Sequence, residues 1–308
     1  MATSKASLWQ GKDVISMRDI SREQIDEMLS LAQKMEPVAF GRKKLQTLSE
    51  KVVAVIILEP STRTYLSFAT AAKRLGGSTV SVIDAKSSSI NKGETLHDTI
   101  KLVDSCVDAI VMRNPVEGSA RLAAETAEVP VINAGDGTNQ HPTQALLDLY
   151  TIKKEKGKLD KLKVMLLGDL KNGRTVHSLA QSLSNYDVEL ELYSPPQLRM
   201  PSGILRDLEG KIEVRELDSM DVSQADVVYA TRIQKERFAD PEEYKKYSYV
   251  IDSAKMREMK KDAILMHPLP RVDEISTDVD SDPRAKYYQQ EANGIPVRMA
   301  LLQAVIVG

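Results

Sequence analysis

The sequence predicts an α/β protein made of two doubly wound parallel-sheet domains. Short β-branched runs alternate with longer amphipathic runs along the chain, and this alternation is typical of parallel strands joined by helices that cover both faces of a sheet. It breaks at the charged stretch 153–161, which contains Gly157, and then restarts. A length of 308 residues also fits two domains of roughly 150 residues each.

The first half of the chain predicts one leading helix and four strand–helix units. Residues 21–35 carry apolar residues on one helical face, with Ser21 as the N-cap. Residues 52–58 are an unbroken apolar run, which indicates a strand buried on both faces. The remaining predicted elements are strands 78–84, 109–112 and 129–133 and helices 65–75, 96–106, 119–126 and 143–154.

The second half predicts another set of strands and a terminal helix. The predicted strands are 162–167, 187–193, 226–230, 249–252 and 263–266, and a helix covers 175–183. The last apolar stretch, 296–307, predicts a helix that we expect to return to the first domain. The expected domains are therefore 1–150 plus 291–308, and 151–290.

Composition excludes several classes of protein. The chain has 42 Lys and Arg against 44 Asp and Glu, a net charge of -2, which argues against a protein that coats nucleic acid or an anionic membrane. The single cysteine, Cys106, cannot form an intrachain disulfide, and the apolar run at 103–112 predicts that it is buried. No apolar run reaches the length of a membrane helix or a signal peptide. We expect a soluble, cytoplasmic protein.

The segment Ser61-Thr62-Arg63-Thr64 lies between the first buried strand and the next predicted helix. The start of a helix offers unpaired backbone N–H groups and the positive end of the helix dipole. Three hydroxyls and a guanidinium at that position suit a phosphate or another tetrahedral anion. The alternative interpretation is an N-cap with more hydroxyls than a cap needs.

Two histidines also follow predicted strands. His141 and Gln144 stand three residues apart at the start of a helix, so both side chains face one side, and an imidazole beside an amide can stabilise negative charge on a carbonyl oxygen. His267 precedes the segment 268–270, where two prolines leave backbone carbonyls to accept from an amide. Histidines without a chemical role are the alternative at both places.

The stretch 168–175 nearly matches a phosphate-binding P-loop. Arg174 stands where the P-loop lysine belongs, and an arginine fork at a helix start suits a carboxylate at least as well as a triphosphate. Arg232 and Gln234 follow a later strand and point to one side of an extended chain. The missing lysine, and the absence of a Cys/His cluster in the sequence, argue against a nucleotide or metal cofactor.

Cationic residues recur where predicted strands end. Arg113 lies just past strand 109–112, and Lys92 lies in the polar loop 87–95; a solvated lysine is the alternative for Lys92. The carboxyl ends of parallel strands share one edge of a sheet, so these side chains should converge on a cleft. A pair of small anionic substrates fits such a cleft better than nucleic acid, which would need a broader basic patch.

Seven segments together resemble the catalytic chain of the aspartate carbamoyltransferases, over essentially the whole length. They are S-T-R-T at 61–64, K-G-E-T at 92–95, M-R-N-P at 112–115, G-D-G-T-N-Q-H-P-T-Q at 135–144, G-D-L-K-N-G-R-T-V-H-S at 168–178, T-R-I-Q-K-E-R at 231–237 and H-P-L-P-R-V-D-E-I at 267–275. The related ornithine enzymes carry a cysteine where this chain has Pro268 and lack the G-R-T-V-H-S segment, so the resemblance favours aspartate.

The resemblance implies a reaction and a role for individual residues. An active site between the domains would transfer the carbamoyl group of carbamoyl phosphate to L-aspartate, the committed step of de novo pyrimidine biosynthesis; another amine such as ornithine is the alternative acceptor. Arg63, Thr64, Arg113 and His141 would be catalytic. Carbamoyl phosphate would be bound by Ser61, Thr62, Arg63, Thr64, Arg113, His141, Gln144, Leu269 and Pro270. Aspartate would be bound by Ser88, Lys92, Arg174, Arg232 and Gln234.

The resemblance further implies an assembly. Ser88 and Lys92 would reach the active site of a neighbouring subunit, so the chain would act as a homotrimer with shared sites. It also admits a separate regulatory chain in a larger allosteric holoenzyme. No cofactor, metal, nucleic acid or membrane is expected as a partner.

Overall fold

The structure, a computed structural model, describes residues 7–83, 89–235, 238 and 247–308. The chain divides into two compact units, Met1–Tyr150 with Asn293–Gly308 and Thr151–Ala292, which we call the first unit and the second unit. Each unit contains one parallel β-sheet. The predicted α/β fold with two parallel sheets is therefore confirmed.

The first unit is built on a four-stranded sheet. Its strands are β1 (Val52–Ile57), β2 (Ser78–Val82), β3 (Ala109–Asn114) and β4 (Val131–Asp136). Its helices are α1 (Arg22–Ala39), α2 (Thr62–Arg74), α3 (Leu96–Asp104), α4 (Ser119–Thr126) and α5 (Pro142–Lys156), the last of which continues into the second unit. The strand order is β2-β1-β3-β4, and each neighbouring pair is parallel. The central strands β1 and β3 are almost fully buried, whereas the edge strand β2 is largely exposed.

The second unit is built on a five-stranded sheet. Its strands are β5 (Leu162–Leu167), β6 (Val188–Tyr193), β7 (Glu213–Leu217), β8 (Val227–Ala230) and β9 (Ile264–Met266). Its helices are α6 (Arg174–Leu183), α7 (Ser202–Leu208) and α8 (Ser253–Glu258), together with the start of α9 (Tyr287–Ile306). The order is β7-β6-β5-β8-β9, again with parallel neighbours.

The sequence analysis missed one strand of the second unit and predicted another that is absent. The segment Glu213–Leu217 forms the edge strand β7, although three of its five residues are charged and most of it is exposed. The predicted strand at 249–252 is absent; Ile251 makes one isolated bridge with Ile275. The pairing stops there because Asp252 caps α8, where its side chain accepts a hydrogen bond from the Lys255 backbone.

The terminal helix α9 begins at Tyr287, earlier than the predicted start at 296. Pro296 lies inside the helix, and a proline is more often found in a first helical turn, which explains the late predicted start. The end of α9 packs within the first unit, because the Gly11 N–H donates to the Val305 carbonyl at 2.9 Å and the Thr47 hydroxyl donates to Gln303 at 2.9 Å. The predicted return of this helix is therefore confirmed.

The prediction that Cys106 is buried is wrong, because its side chain is exposed. Helix α3 ends at Asp104 and strand β3 begins at Ala109, so Cys106 lies in the connecting turn. The apolar run that suggested burial is interrupted by Asp108, which forms an ion pair with Lys51 at 2.8 Å. Among the described residues, none of the helices is long and apolar enough to cross a membrane.

Candidate active site

The carboxyl edge of the first sheet collects three of the predicted segments. The loops after β1, β3 and β4 carry residues 58–61, 115–118 and 137–141, and all three strands run parallel. Their carboxyl ends therefore meet at one edge, where ligands bind in open α/β sheets. This edge holds the predicted residues Ser61, Thr62, Arg63, Thr64, Arg113, His141 and Gln144.

Helix α2 starts at Thr62, three residues before the predicted start, and Ser61 is its N-cap. The Ser61 hydroxyl accepts from the Thr64 backbone N–H at 3.4 Å and donates to the Thr64 hydroxyl at 2.8 Å. Thr64 is buried, while Arg63 is half-buried and Thr62 is exposed. Hydroxyls and a guanidinium therefore surround the first turn of a helix, where the dipole favours an anion.

Arg113 is fixed by an ion pair beside this helix start. It is the second-last residue of strand β3, and its guanidinium donates to Glu59 Oε1 at 3.0 Å. Only 13% of the arginine side chain is exposed. A planar guanidinium held this way keeps its other donors in a fixed fork. Two arginines, Arg63 and Arg113, thus lie at the same sheet edge as the α2 N-terminus.

His141 and Gln144 are both buried at the start of α5. The ring Nδ1 of His141 lies 3.3 Å from the Thr143 hydroxyl. Gln144 donates its side-chain N–H to Asp148 Oδ1 at 3.0 Å, one helical turn later. This bond fixes the orientation of the amide, so its nitrogen faces Asp148 and its oxygen faces the other way, as an acceptor.

A buried carboxylate that the sequence reasoning missed holds the turn before His141. Asp136 is 1% exposed, and four donors reach it. Its Oδ1 accepts from the Asn133 amide at 2.9 Å and the Gln140 N–H at 3.0 Å. Its Oδ2 accepts from the Gly118 N–H and the Asn139 amide, both at 3.0 Å. An aspartate between two glycines at 135–137 indicated a structured turn, but its four hydrogen-bond partners could not be read from the sequence.

Three more of the predicted segments lie at the carboxyl edge of the second sheet. Arg174 follows β5 as the first residue of α6, Arg232 and Gln234 follow β8, and the segment 267–270 follows β9. These strands also run parallel. The predicted residues therefore lie at two edges, one in each unit, and not at the single edge that the sequence pattern suggested.

Buried Asp169 connects the Arg174 loop with the Gln234 loop. Its Oδ1 accepts from the Asn172 N–H at 2.9 Å, and its Oδ2 accepts from the Gln234 N–H at 3.3 Å. The backbone N–H groups of Leu170 and Arg174 also bond within the loop or to neighbouring backbone. A P-loop instead aims its backbone N–H groups at a phosphate. This loop therefore positions the arginine side chain and does not form a phosphate cradle.

Gly168 allows the two loops to approach closely. Its φ is +112°, and a Cβ at this position would overlap the carbonyl oxygen of Thr231. The Tyr249 hydroxyl donates to that same carbonyl at 2.6 Å. Burial raises the pKa of Tyr249 well above its usual value, so this hydroxyl stays a donor. The backbone just before Arg232 is thereby fixed.

His267 is 1% exposed and forms a buried pair with Glu274, which is 3% exposed. Its Nε2 lies 2.8 Å from Glu274 Oε1, and its Nδ1 accepts from the Leu269 N–H at 2.8 Å. Burial lowers the pKa of His267. Burial also opposes ionisation of Glu274, but hydrogen bonds from His267 and the backbone hold its pKa below the usual value. The pair is therefore a neutral imidazole and a carboxylate.

The last predicted residues fall in less enclosed positions. Leu269 is half-buried and Pro270 is exposed, and the peptide bond between them is cis. Lys92 is exposed at the end of a short 3-10 helix, Ser89–Lys92. Ser88 lies outside the described residues. Within the described ranges, no group of three His, Cys, Asp or Glu residues could hold a metal ion.

Comparison with known proteins gives one family match for each half of the chain. The description "Aspartate/ornithine carbamoyltransferase, carbamoyl-P binding domain" matches residues 12–154, and "Aspartate/ornithine carbamoyltransferase, Asp/Orn binding domain" matches residues 160–305. The aspartate carbamoyltransferase catalytic subunit of Thermococcus onnurineus is 53% identical over 299 residues, covering 96% of each chain.

Solved structures agree with these matches. The aspartate transcarbamoylase of Trypanosoma cruzi, in complex with carbamoyl aspartate and phosphate, is 40% identical with a TM-score of 0.92, covering 100% of this chain and 99% of that chain. The catalytic subunit of the Methanocaldococcus jannaschii enzyme is 53% identical with a TM-score of 0.88, covering 96% and 98%. By sequence and by fold, this chain belongs to the aspartate/ornithine carbamoyltransferase family.

Proposed function

We propose that this chain transfers the carbamoyl group of carbamoyl phosphate to the α-amino group of L-aspartate, giving N-carbamoyl-L-aspartate and phosphate. The observation that carries the proposal is the start of α2, where Ser61 and Thr64 surround the first helical turn and Arg113 lies at the same sheet edge. Such a site suits a phosphoryl group. The Trypanosoma cruzi relative, solved with carbamoyl aspartate and phosphate, supports the same chemistry here.

Electrostatic stabilisation would carry the reaction. The α-amino group attacks the carbonyl carbon of carbamoyl phosphate and a tetrahedral oxyanion forms. Phosphate then leaves with the electrons of the broken C–O bond and takes up the proton that the amino nitrogen loses. His141, Thr64 and Arg113 stabilise the oxyanion, because donors fixed before the reaction lower its barrier more than solvent does. Arg63 and the helix N-terminus neutralise the leaving phosphate. Gln144 and the carbonyls of Leu269 and Pro270 accept from the carbamoyl amino group.

The second unit would bind the acceptor. Arg174, Arg232 and Gln234 follow strands of one parallel sheet, and two guanidiniums match the two carboxylates of aspartate better than the single carboxylate and the cationic side chain of ornithine. The curated relatives are named aspartate carbamoyltransferase catalytic subunits, which also favours aspartate. The first unit is then the carbamoyl-phosphate domain and the second unit is the aspartate domain.

We further propose that the chain forms a homotrimer in which Lys92 and Ser88 complete the active site of a neighbour. Exposed apolar side chains of the first unit are available to a subunit interface, since Leu66, Val80, Ile83 and Leu102 are each at least half exposed. The relatives are named catalytic subunits, which supports a separate regulatory chain and an allosteric holoenzyme. A cytoplasmic role in pyrimidine biosynthesis fits the exposed thiol of Cys106, which a reducing compartment preserves.

The test is a side-by-side assay of the purified protein with carbamoyl phosphate and either L-aspartate or L-ornithine. We expect phosphate release and carbamoyl-aspartate formation with aspartate, and little turnover with ornithine. Removing the guanidinium in Arg63→Ala should lower kcat by at least about 100-fold, the typical effect of losing one transition-state donor.

Arg74→Ala is the matched control, because Arg74 is exposed in the last turn of the same helix. It should leave kcat and both KM values near those of the wild type. Equal turnover of Arg63→Ala and Arg74→Ala would contradict the proposed site, and faster turnover of ornithine than aspartate would contradict the proposed acceptor.

A further inference from the structure

We propose that His267 and Glu274 are positioning residues, which set the direction of the Leu269 carbonyl by accepting the Leu269 N–H at a fixed imidazole nitrogen. The inference rests on the proposed function, in which that carbonyl binds the carbamoyl amino group. Neither His267 nor Glu274 needs to touch substrate. Their effect would pass through the backbone between residues 267 and 270.

The first step is the state of the His267 ring. A backbone N–H is always a donor, and the Leu269 N–H points to Nδ1 at 2.8 Å. Nδ1 must therefore be the unprotonated nitrogen, and in a neutral imidazole the hydrogen then sits on Nε2. That nitrogen lies 2.8 Å from Glu274 Oε1. A carboxylate oxygen this close favours a hydrogen on Nε2 by its charge, and this is the tautomer that leaves Nδ1 available to Leu269.

The second step is the fixed position of both partners. The other oxygen of Glu274, Oε2, accepts from the Val272 N–H at 3.1 Å and the Asp273 N–H at 3.2 Å. The His267 backbone N–H donates to Gln290 Oε1 at 2.9 Å. The carboxylate is therefore held by two backbone hydrogen bonds on Oε2, and the ring cannot turn or exchange its tautomer without losing the buried bond from Leu269.

The third step is the conformation that the pair maintains. Leu269 has a φ of +51°, a left-handed conformation that is unfavourable for a leucine. The bond from its N–H to the imidazole is the observed contact that holds the preceding peptide in place. Without it, the backbone can relax toward a common conformation, and the carbonyl that follows then changes direction.

Two substitutions at His267 separate the two bonds of the ring. In His267→Asn, the side-chain oxygen lies near the former Nδ1 and can accept from Leu269, whereas the bond to Glu274 is lost. In His267→Gln, the longer side chain places its amide near the former Nε2 and can donate to Glu274, whereas the bond from Leu269 is lost. Both variants remove the ring from the same buried position.

The kinetic expectation differs between these variants. His267→Gln should raise the KM for carbamoyl phosphate about tenfold, the equivalent of one lost hydrogen bond, and leave the KM for aspartate near the wild-type value. His267→Asn should stay much closer to the wild type. Val222→Ala, which truncates a buried core residue of the second unit, is the control for loss of stability alone.

Measurements without substrate test the inference separately from the proposed function. The ¹⁵N chemical shifts of the imidazoles in the full chain should show His267 as the neutral Nε2–H tautomer. Hydrogen exchange at the Leu269 amide should be slow in the wild type and in His267→Asn, and fast in His267→Gln. In Glu274→Gln, the single side-chain oxygen can accept either from His267 or from the Val272 and Asp273 N–H groups. Hydrogen exchange at the Leu269 amide should therefore be faster in this variant too.

Failure of the inference and failure of the proposed function give different results. A wild-type protein that forms no carbamoyl aspartate would refute the proposed function, whatever the state of His267. An Nδ1–H tautomer, equal exchange at Leu269 in both His267 variants, or a KM change in Val222→Ala as large as in His267→Gln would overturn the inference.

Discussion

Replacing Asp136 by asparagine should strongly destabilise the first unit and displace His141. The carboxylate accepts four hydrogen bonds, two on each oxygen, while only 1% exposed. Asparagine has one acceptor oxygen and one donor nitrogen. In either orientation, two of the four donors would therefore face an N–H₂ group inside the protein.

The magnitude follows from that count. A hydrogen bond to a charged group contributes about 1.5–3 kcal/mol, so the loss of two predicts a decrease of about 3–6 kcal/mol in the free energy of unfolding. Native domains are stable by only about 5–15 kcal/mol. Asp136→Asn should therefore remove a large part of the stability of the first unit.

Asp104→Asn is the matched control within the same unit. Asp104 accepts from the Glu128 N–H at 2.8 Å and the Val129 N–H at 3.0 Å, but both bonds fall on Oδ1. An asparagine can present its one oxygen to both donors. We therefore expect a loss of only about 1 kcal/mol, which reflects the weaker bonds of a neutral acceptor.

The assay is urea unfolding followed by tryptophan fluorescence. Trp9 is the only tryptophan, it is 1% exposed, and it belongs to the first unit. With m of about 1–3 kcal/mol/M in urea, Asp136→Asn should lower the midpoint by about 1 M or more, and Asp104→Asn by much less. Equal midpoints for the two variants would refute the reasoning.

Three further predictions concern other features. Gly168→Ala should raise the KM for aspartate about tenfold by displacing Thr231, whereas Gly210→Ala, also at positive φ but with no atom within 4 Å, should not; steady-state kinetics decides. A thiol reagent should modify one exposed cysteine, Cys106, per native chain, and absence of reaction would show that it is covered. Burial lowers the pKa of His267 from 6.5, so around and below pH 6.5 the unfolded state binds more protons than the folded state. The contribution of neutral His267 to the free energy of unfolding is therefore complete above pH 6.5. Below pH 6.5 the free energy of unfolding should fall by up to about 1.4 kcal/mol per pH unit, and urea midpoints of His267→Asn should show a smaller slope.

The elements that the sequence predicts well are those whose own residues determine them. Strand β5 was predicted at its observed bounds, 162–167, because a central strand of a parallel sheet reads as one apolar run. The edge strand β7 has three charged residues among its five and was missed. The end of a helix depends on tertiary packing, which explains why α1 continues to Ala39, where Met35, Val38 and Ala39 are buried.

The candidate site likewise contains residues that the sequence predicts and residues that it does not. Residues that face a ligand stand just after strands, so their positions can be read from the chain. The residues that hold them in place cannot be predicted in this way, because partners such as Asp136 and Gly118 are 18 residues apart and meet only in the folded protein. His267 and Glu274 likewise appeared in one motif, but the tautomer that connects them depends on the folded loop.

The first unit consists of two separate stretches of sequence, Met1–Tyr150 and Asn293–Gly308, and this has a consequence for synthesis on the ribosome. The 142 residues of Thr151–Ala292 must be translated before the last part of α9 exists. At about 5–20 residues per second, that takes about 7–28 seconds. The second unit is continuous in sequence and can fold during this time. The apolar surface of the first unit against which Leu301, Leu302 and Val305 pack is not yet covered. The first unit can therefore complete its fold only after the whole second unit has been synthesised.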